Sequence, residues 1–510
     1  PEAPCMNTPS VPCLESPSSG RNTTALTDAA TPPSSYRDNA SHILQRYIDT
    51  SASEEVRNEQ IVQIVSTICP FLLSDDRNDG GMVHDSTAQQ PLEVKPLHGG
   101  LSNEIFVVKS ATADQSVLVR IHPDVDINGV GTLPQDGRTQ SKAGQHDVDL
   151  VLTSDDSSSD ESRSEDSSVS SQSDQLLTQR EIENELVAWL SQMGQAPIFY
   201  GRFLNGRIEE FYDNMRPLSC NEMAKHGAQI GSLMSKFHGL SVPASILPKP
   251  ASSPTSTSSL SPDLDLGHIA QSIDSWFTSL IKDMDKGDDL DLHNCLMTMH
   301  GEWAWLKIEL FSSPSQHRQP QQDGTTGSDN DCVNNMRQFL KESVLTHMDC
   351  QPLNLLQSQT ETEMEASNAI RLIDFEYSGW NPRAADIANT FCEHCNMTDL
   401  CPDYGEEYPT ADQQDAFLRA YLEQCPDQMK LLDASDERDA LEAMRHEVGK
   451  HTLLSHMHWA VWSIDRIVRV NGDGCNLEWD YRKYVTVRME GYETMKSWFF
   501  DEAARIPNST

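Results

Sequence analysis

Hydrophobic and polar positions follow a strand-like pattern in the first part of the chain. The segments LEVKPLHGGLSNEIFVVKS and SVLVRIHP alternate or cluster β-branched residues around Gly99 and Gly100. This pattern predicts a strand, a tight glycine turn and two further strands. A second strand pair is predicted in APIFYGRF and GRIEEFY, with its turn at Asn205-Gly206.

Helical spacing of apolar residues dominates elsewhere. It marks EEVRNEQIVQIVSTICPFLL and REIENELVAWLSQMG, and it continues from AFLRAYLEQ through MKSWFF. Further helices are predicted at 222–240, 266–284, 295–311 and 337–341. A strand-rich part followed by a helix-rich part predicts an α+β fold of two lobes, a small N-lobe over residues 41–215 and a large helical C-lobe over 216–510.

Two segments lack the apolar content of a packed core. The first 40 residues are rich in Ser, Thr, Pro and Asn. A second stretch, at about 124–178, has a centre rich in serine and acidic residues, DVDLVLTSDDSSSDESRSEDSSVSSQSDQ. We predict a disordered tail and a disordered, solvated insertion in the N-lobe.

Charge and composition exclude several classes of protein. The chain has 510 residues and a formal net charge of -40, which disfavours nucleic-acid binding and binding to anionic membranes. No apolar run approaches the roughly 20 residues of a membrane span, and no signal peptide is evident. We therefore expect a cytoplasmic protein without integral membrane contact. The sequence leaves its oligomeric state open, and a homodimer is one candidate.

One polar turn carries candidate chemistry. In THMDCQPLNLL, His347, Asp349 and Asn354 have the spacing of a kinase catalytic loop. In such a loop the aspartate accepts or orients the proton of a hydroxyl group, and the asparagine binds a metal ion.

A second acid follows an apolar strand downstream. In AIRLIDFEYSGW, residues 370–373 end at Asp374, and Phe375 and Glu376 come next. Asp374 is placed like the magnesium-binding aspartate of a kinase DFG segment, with glutamate where glycine usually stands.

Contacts to phosphate need cations and backbone amides. GGLSN can form a glycine turn that points amides and the side chains of Ser102 and Asn103 at phosphate. Arg120, in VLVRI, lies among apolar neighbours and requires an acidic partner. Glu183 is the natural candidate, and Glu181 and Glu185 compete with it.

Taken in order, these segments resemble the choline/ethanolamine kinases. The similarity runs from about residue 90 to the C-terminus through GGLSN, VLVRI, IFYGRF, HMDCQPLN, IDFEYSGWNPRAADIANTFCE, EEYPT and HWAVWSI. It implies a protein-kinase-like fold and the ATP- and magnesium-dependent phosphorylation of choline or ethanolamine, as in phospholipid synthesis.

The resemblance also implies roles for individual residues. Asp349 would be the base, and Asn354 and Asp374 would bind magnesium, so that these three residues form the catalytic set. Residues 208–213 would form a hinge against adenine. The implied ATP contacts are Gly99, Gly100, Leu101, Ser102, Asn103, Arg120, Glu183, Glu210, Phe211, Gln351 and Asp374.

The substrate side follows from the chemistry of a quaternary ammonium, which makes no hydrogen bonds and is held by aromatic faces and nearby carboxylates. Tyr377, Trp459 and Trp462 are the candidate faces, and the two tryptophans share one side of a helix. Glu393 is predicted at the edge of this box. Asp349 and Glu376 complete the predicted substrate contacts.

Several alternatives remain open. GGLSN and DCQ resemble the choline enzymes, AFLRAYLE resembles the ethanolamine enzymes, and HCNMTDL departs from the family after FCE. Other readings are an aminoglycoside-type phosphotransferase and a catalytically silent scaffold. A zinc module is a further alternative, with Cys392, Cys395, Cys401, His451, His456 and His458 as its possible ligands.

Overall fold

The computed structural model describes twelve segments of the chain. They are residues 42–73, 92–97, 103–110, 115–122, 166–248, 266–284, 289–311, 329–359, 370–397, 399–430, 437–470 and 479–500. The predicted N-terminal tail and the glycine turn at Gly99–Ser102 lie outside these segments, as does most of the predicted insertion.

A six-stranded sheet forms the smaller part of the fold, in the order β1-β5-β6-β4-β3-β2. The strands are β1 (Ile43–Leu44), β2 (Leu92–Leu97), β3 (Glu104–Ser110), β4 (Ser116–Ile121), β5 (Phe199–Phe203) and β6 (Gly206–Glu210). β2, β3 and β4 pair antiparallel in sequence, and so do β5 and β6. The predicted strands are therefore confirmed.

Helix α1 (Glu54–Ile68) covers one face of this sheet. Its buried residues Ile61, Ile64 and Val65 share a hydrophobic core with alternate residues of β4, among them Val117 and Val119. Alternate side chains of a strand point to the same face, so the period of two in SVLVRI places these valines inward.

Helix α2 (Asp166–Gln192) corrects the boundary predicted for the acidic insertion. The helix begins at Asp166, about three turns before the predicted end of the disordered segment. Acidic residues are stabilised at a helix N-terminus by the helix dipole. Adding turns to a helix that has already formed does not incur the free-energy cost of nucleation, so the helix can begin early. Leu186, Val187 and Leu190 pack into the core of the C-lobe rather than that of the sheet.

Helices make up most of the C-lobe, as predicted. They are α3 (Cys220–Lys225), α4 (Gly227–His238), α5 (His268–Asp283), α6 (Leu290–Phe311), α7 (Asp329–Lys341), α8 (Arg383–Cys392), α9 (Tyr404–Glu407), α10 (Ala411–Glu423), α11 (Pro426–Met429), α12 (Glu437–Val470) and α13 (Tyr481–Phe500). Helices α6 and α7 begin earlier than predicted. The 34-residue α12 contacts α5, α8 and α13 and forms the centre of the lobe.

Short strands position the polar turn. They are β7 (Met215–Pro217), β8 (Ser343–Thr346), β9 (Leu355–Ser358), β10 (Ile370–Leu372) and β11 (Gly379–Pro382). β9 pairs with β10, and β8 pairs with β11. The turn leaves β8 and enters β9, while Asp374 follows β10, so the antiparallel pair brings both segments to one place. Among the described helices, none has the length and apolar character needed to cross a bilayer.

Candidate active site

The turn after β8 is held in an unusual backbone conformation. Met348 has a φ of 64°, in the left-handed region that side chains rarely adopt. The Asp386 carboxylate, from α8, accepts backbone hydrogen bonds from His347 at 2.6 Å and from Met348 at 2.8 Å. A buried acid therefore fixes the residue that precedes Asp349.

Asp386 is itself held by a buried chain of hydrogen bonds. Nε2 of His238 lies 3.0 Å from the Asp386 carboxylate, and Nδ1 of His238 lies 2.6 Å from the hydroxyl of Tyr421. Burial alone would raise the pKa of Asp386, but the bonds from His238 and the turn amides lower it. Burial lowers the pKa of His238. The sequence reasoning missed Asp386, whose signal was a single acid within the apolar helix AADIANTF.

We expect Asp386→Asn to lower the free energy of unfolding by about 3 kcal/mol at pH 7, because it removes one member of a buried charged network. Urea unfolding at several pH values measures this. The folded-state pKa of Asp386 is depressed, so its carboxylate stabilises the fold above the unfolded pKa of about 4. That contribution is lost as the pH falls through the lowered pKa. The difference in the free energy of unfolding between wild type and variant should therefore become smaller in acid.

The exposed Asp427, paired with Lys430 on the surface, provides the control. Asp427→Asn should change stability by less than about 0.5 kcal/mol. A stability loss of similar size in both variants would contradict the role given to Asp386.

Asp349 and Asn354 contact each other within the turn. The Asn354 amide nitrogen donates to the Asp349 carboxylate at 2.7 Å and to its backbone oxygen at 2.9 Å. The amide nitrogen is thereby committed, and the amide oxygen is the atom that Asn354 can offer to a cation.

Negative charge accumulates around Asp349. Its pKa is raised well above the ordinary value by burial first, and then by the carboxylates of Glu393, Asp374 and Glu376. A carboxylate whose ionised form is opposed by burial and by neighbouring negative charge is stabilised by a bound cation. The site therefore has the electrostatics to bind a metal ion or an ammonium group beside Asp349.

Asp374 meets the cation that was predicted to bind phosphate. Its φ is 65°, and its two carboxylate oxygens lie 3.2 and 3.3 Å from Nη1 of Arg120. Nε of Arg120 lies 4.0 Å from Glu209. The tertiary structure therefore brings Arg120 to the end of β10, although Arg120 and Asp374 are 254 residues apart in the sequence.

The predicted pairing of Arg120 with Glu183 is wrong. Glu183 pairs with Arg207 at 2.6 Å and with Arg180 at 2.9 Å. Burial would raise the pKa of Glu183, but these two guanidinium groups hold it below its usual range. β6, next to β4, places Arg207 between Glu183 and Glu209, so a neighbouring strand supplies the cation.

Arg180 links helix α2 to the turn after Asp374. Its Nη1 atom lies 2.9 Å from Glu183 and 3.3 Å from Glu376. The pKa of Glu376 is raised by burial and by the charges of Asp374 and Glu183. Glu376, predicted as a substrate contact, thus joins a network with α2. Arg180 was missed, although it stands one helical turn before Glu183.

Other predicted nucleotide contacts have these positions. Asn103 is buried, and its Oδ1 atom lies 2.7 Å from Nδ1 of His122. Glu210 and Phe211 lie where β6 ends, and the Glu210 carboxylate accepts a backbone hydrogen bond of 3.1 Å from the segment before β5. Gln351 precedes the short 3₁₀ turn that contains Asn354. A role for these four residues in ATP binding stays a prediction.

The predicted aromatic residues come together in one cluster. The ring centroids of Tyr377 and Trp459 are 5.1 Å apart, and those of Trp459 and Trp462 are 5.6 Å apart. Tyr481, on α13, extends the cluster at 5.6 Å from Trp462. Tyr484, one turn later on α13, contacts Trp479. The two tyrosines were missed, and their spacing of three in DYRKY was the available signal.

Glu393, predicted at the edge of the aromatic box, forms an ion pair with Arg488. Nη2 of Arg488 lies 2.6 Å from Glu393 and 2.5 Å from the hydroxyl of Tyr484. The guanidinium group lies 4.9 Å from the ring centroid of Tyr484 and 5.9 Å from that of Trp459. Arg488 is 1% exposed. The edge of the aromatic cluster is therefore a buried ion pair, which the sequence did not predict.

The residues proposed for a zinc module do not form one. Among the segments that the structure describes, no group of three or more His, Cys, Asp or Glu side chains is arranged to hold a metal ion. His456 lies 3.7 Å from the Cys392 sulfur, and His451 hydrogen-bonds the backbone of its own helix.

The sheet-plus-helix architecture, with a polar turn facing Asp374, defines a protein of the kinase-like fold. A model of the family "Choline/ethanolamine kinase" matches residues 168–493. The chain belongs to this family.

Relatives support the assignment along most of the chain. It is 25% identical over 419 residues to the Arabidopsis thaliana protein named "Probable choline kinase 2", covering 80% of this chain and 87% of that protein. It is also 25% identical over 336 residues to the Homo sapiens choline/ethanolamine kinase, covering 62% and 68%.

Solved structures share the fold. The choline kinase of Cryptosporidium parvum aligns with a TM-score of 0.53 at 21% identity, over 88% of this chain and 99% of that chain. The ethanolamine kinase of Plasmodium vivax aligns with a TM-score of 0.53 at 16% identity, over 88% and 90%. The predicted α+β, two-lobed kinase-like fold is therefore confirmed.

Proposed function

We propose that this protein transfers the γ-phosphoryl group of ATP to the hydroxyl of choline or ethanolamine, giving the phosphorylated amino alcohol used in phospholipid synthesis. The observation that supports this best is the position of Asp349. Burial raises its pKa most, followed by the charges of Glu393, beside the aromatic cluster, and of Asp374, beside Arg120. One carboxylate thus lies between a surface suited to an ammonium group and a surface suited to phosphate.

Asp349 acts as the base in this proposal. It accepts or orients the proton of the substrate hydroxyl, which requires the ionised form. Burial and the neighbouring carboxylates oppose ionisation. Binding of the cationic substrate offsets that effect and favours the carboxylate form when it is needed.

Asn354 and Asp374 fit a magnesium site. A carboxylate and an amide oxygen are hard oxygen donors of the kind that Mg²⁺ prefers. Asn354 offers its oxygen because its nitrogen binds Asp349. Magnesium held there would neutralise charge on the transferred phosphoryl group.

Arg120 binds the ATP phosphates in this proposal. It contacts Asp374, and an anion next to it would compete with that carboxylate. Burial lowers the pKa of Arg120, but Asp374 and Glu209 outweigh this effect and raise it. Arg120 therefore stays charged for phosphate binding.

A coupled ADP-release assay with choline, ethanolamine and the two partly methylated amines tests the proposal. The ratios of kcat/KM rank the substrates. Kanamycin is included as an alternative acceptor. Turnover with kanamycin but with none of the amines would indicate an aminoglycoside-type enzyme. Absence of turnover with every acceptor would favour the silent scaffold.

We expect Trp462→Ala to raise the KM for choline about tenfold or more and to leave the KM for ATP within about twofold, because the lost ring face binds only the cation. Initial rates at varied concentrations of each substrate measure this. Trp305→Ala is the matched control, because Trp305 packs on Phe500, outside the aromatic cluster. Equal changes in both KM values would place the ammonium site elsewhere.

A further inference from the structure

Arg466 extends from α12 over the aromatic cluster. It stands one helical turn after Trp462, and side chains of a helix lean towards its N-terminus, so the stem of Arg466 runs back over that ring. The guanidinium carbon lies 5.3 Å from the ring centroid of Trp462. A cation of the chain itself therefore lies over one of the rings predicted to bind an ammonium group.

Two further rings of the cluster are within reach of the charge of Arg466. Burial raises the pKa of Tyr377 most, Glu376 raises it further, and the charge of Arg466 opposes both effects. Burial also raises the pKa of Tyr481, and Arg466 again opposes the rise. The guanidinium group is therefore near three of the four rings of the cluster.

The rings leave little room for any other cation. Trp462 is 5% exposed and Tyr481 is 6% exposed. Trp459 and Tyr481 pack against Trp462, with ring centroids 5.6 Å away in each case. Of the three neighbours of this ring, Arg466 is the one whose long, half-buried side chain can swing into solvent. An ammonium group would therefore reach Trp462 at the position that Arg466 occupies.

Among the residues that the structure describes, no acidic side chain holds Arg466 in place. The preceding Asp465 pairs with Arg469 at 2.7 Å instead. Arg488, a second cation at the cluster, differs in this respect because its ion pair with Glu393 fixes it. Arg466 is therefore retained by its contact with the ring, and a cationic ligand that contacts the same ring competes with it directly.

We propose that Arg466 is a specificity-determining residue, whose guanidinium group takes the place of the substrate ammonium over Trp462 and must swing aside before a quaternary amine binds. A trimethylammonium group needs the ring face, because it makes no hydrogen bonds. A primary ammonium group can instead donate hydrogen bonds to the carboxylates around Asp349 without displacing Arg466. The wild-type protein is thereby biased towards ethanolamine and against choline. This inference rests on the proposed function for the identity of the substrate.

Calorimetric titration of the intact protein with tetramethylammonium, at constant ionic strength, tests the competition without turnover, because this quaternary ammonium has no hydroxyl group. Arg466→Met keeps an unbranched stem and removes the charge, so it should bind tetramethylammonium at least about fivefold more tightly than wild type. Arg466→Lys keeps a cation near the ring and should stay within about twofold of wild type. The control is Arg469→Met, which removes an exposed charge three residues later and should also stay within about twofold.

Two further measurements locate the effect. Adding Trp462→Ala to Arg466→Met should abolish the gain in affinity, because the ring face is then missing. In the ADP-release assay, Arg466→Met should lower the KM for choline at least about fivefold and leave the KM values for ethanolamine and ATP within about twofold. All variants should unfold near the wild-type temperature, so that a changed affinity reports the site.

Unchanged or weaker binding of tetramethylammonium by Arg466→Met would overturn the proposal. An equal gain in Arg469→Met would assign the effect to net charge, and a gain that survives the loss of Trp462 would place the ligand elsewhere, so each result would contradict the competition. An equal fall in the KM values for choline and ethanolamine would contradict the role in specificity.

The binding and turnover experiments fail separately. If tetramethylammonium binds as expected but no amine is phosphorylated, the proposed function is wrong and the competition for the ring of Trp462 stands. If amines are phosphorylated but Arg466→Met binds tetramethylammonium like wild type, the proposed function stands and the role of Arg466 is wrong.

Discussion

Asp349→Asn should lower kcat by about 10³-fold while the protein stays folded. The substitution keeps the shape of the side chain and an oxygen that can accept the hydrogen bond from Asn354. It removes the carboxylate that we propose as the base, and general bases commonly contribute about 10²–10⁴-fold to rate. Steady-state ADP release at saturating ATP and amine measures kcat, and thermal unfolding shows whether the fold is retained.

Asp412→Asn is the control for this experiment. Asp412 lies exposed in the first turn of α10, and its variant should turn over within about twofold of wild type. Retention of more than a tenth of wild-type kcat by Asp349→Asn would show that Asp349 is not the base.

Asp374→Asn should also lower kcat by about 10³-fold, for a different reason. Asp374 is the only carboxylate in the proposed magnesium set, and a neutral amide binds Mg²⁺ far less well. The variant also removes the negative partner of Arg120. We therefore expect magnesium to stop strengthening ATP binding, while ATP without magnesium binds at least as tightly as in wild type. Calorimetric titration with and without Mg²⁺ separates the two effects.

Glu209→Gln is matched to this variant because Glu209 is the more distant carboxylate beside Arg120, at 4.0 Å. It should keep the magnesium dependence of ATP binding. If Asp374→Asn keeps that dependence as well, the metal is held by other groups.

Local sequence patterns were sufficient to predict several strands, the central helix and one contact in the candidate site. Strands β3 and β4 and the central helix α12 follow from periods of two and 3.6, which depend only on neighbouring residues. Asp349 and Asn354 lie five residues apart in one turn, so their contact is also local. The start of α2 was misplaced because composition alone does not show that a helix extends from a packed end.

The buried charge network was predicted with the wrong partners. The inward position of Arg120 followed from its strand, but four arginines and several glutamates compete around α2. Which of them meet depends on the order of β4 and β6 and on the rotation of α2 against the sheet. A pattern along one element identifies its buried face and does not identify the residue opposite.

No local signal was strong enough to assign the acid that supports the turn before Asp349 or the ion pair beside the aromatic cluster. Asp386 meets His238 from 148 residues away, and Arg488 meets Glu393 from 95 residues away. Both pairs are buried, and burial makes each charge require a partner without saying which.

By itself, the sequence determined the order of strands and helices, the spacing of the turn from Asp349 to Asn354, and the tryptophans that share one face of α12. Only the tertiary structure decided that Arg120 meets Asp374, that Arg207 and Arg180 hold Glu183, and that Arg488 occupies the edge of the aromatic cluster. The physical reason is that helix and strand periods are properties of a few adjacent residues. Ion pairs and cavities form where several elements pack, and their geometry belongs to the whole fold.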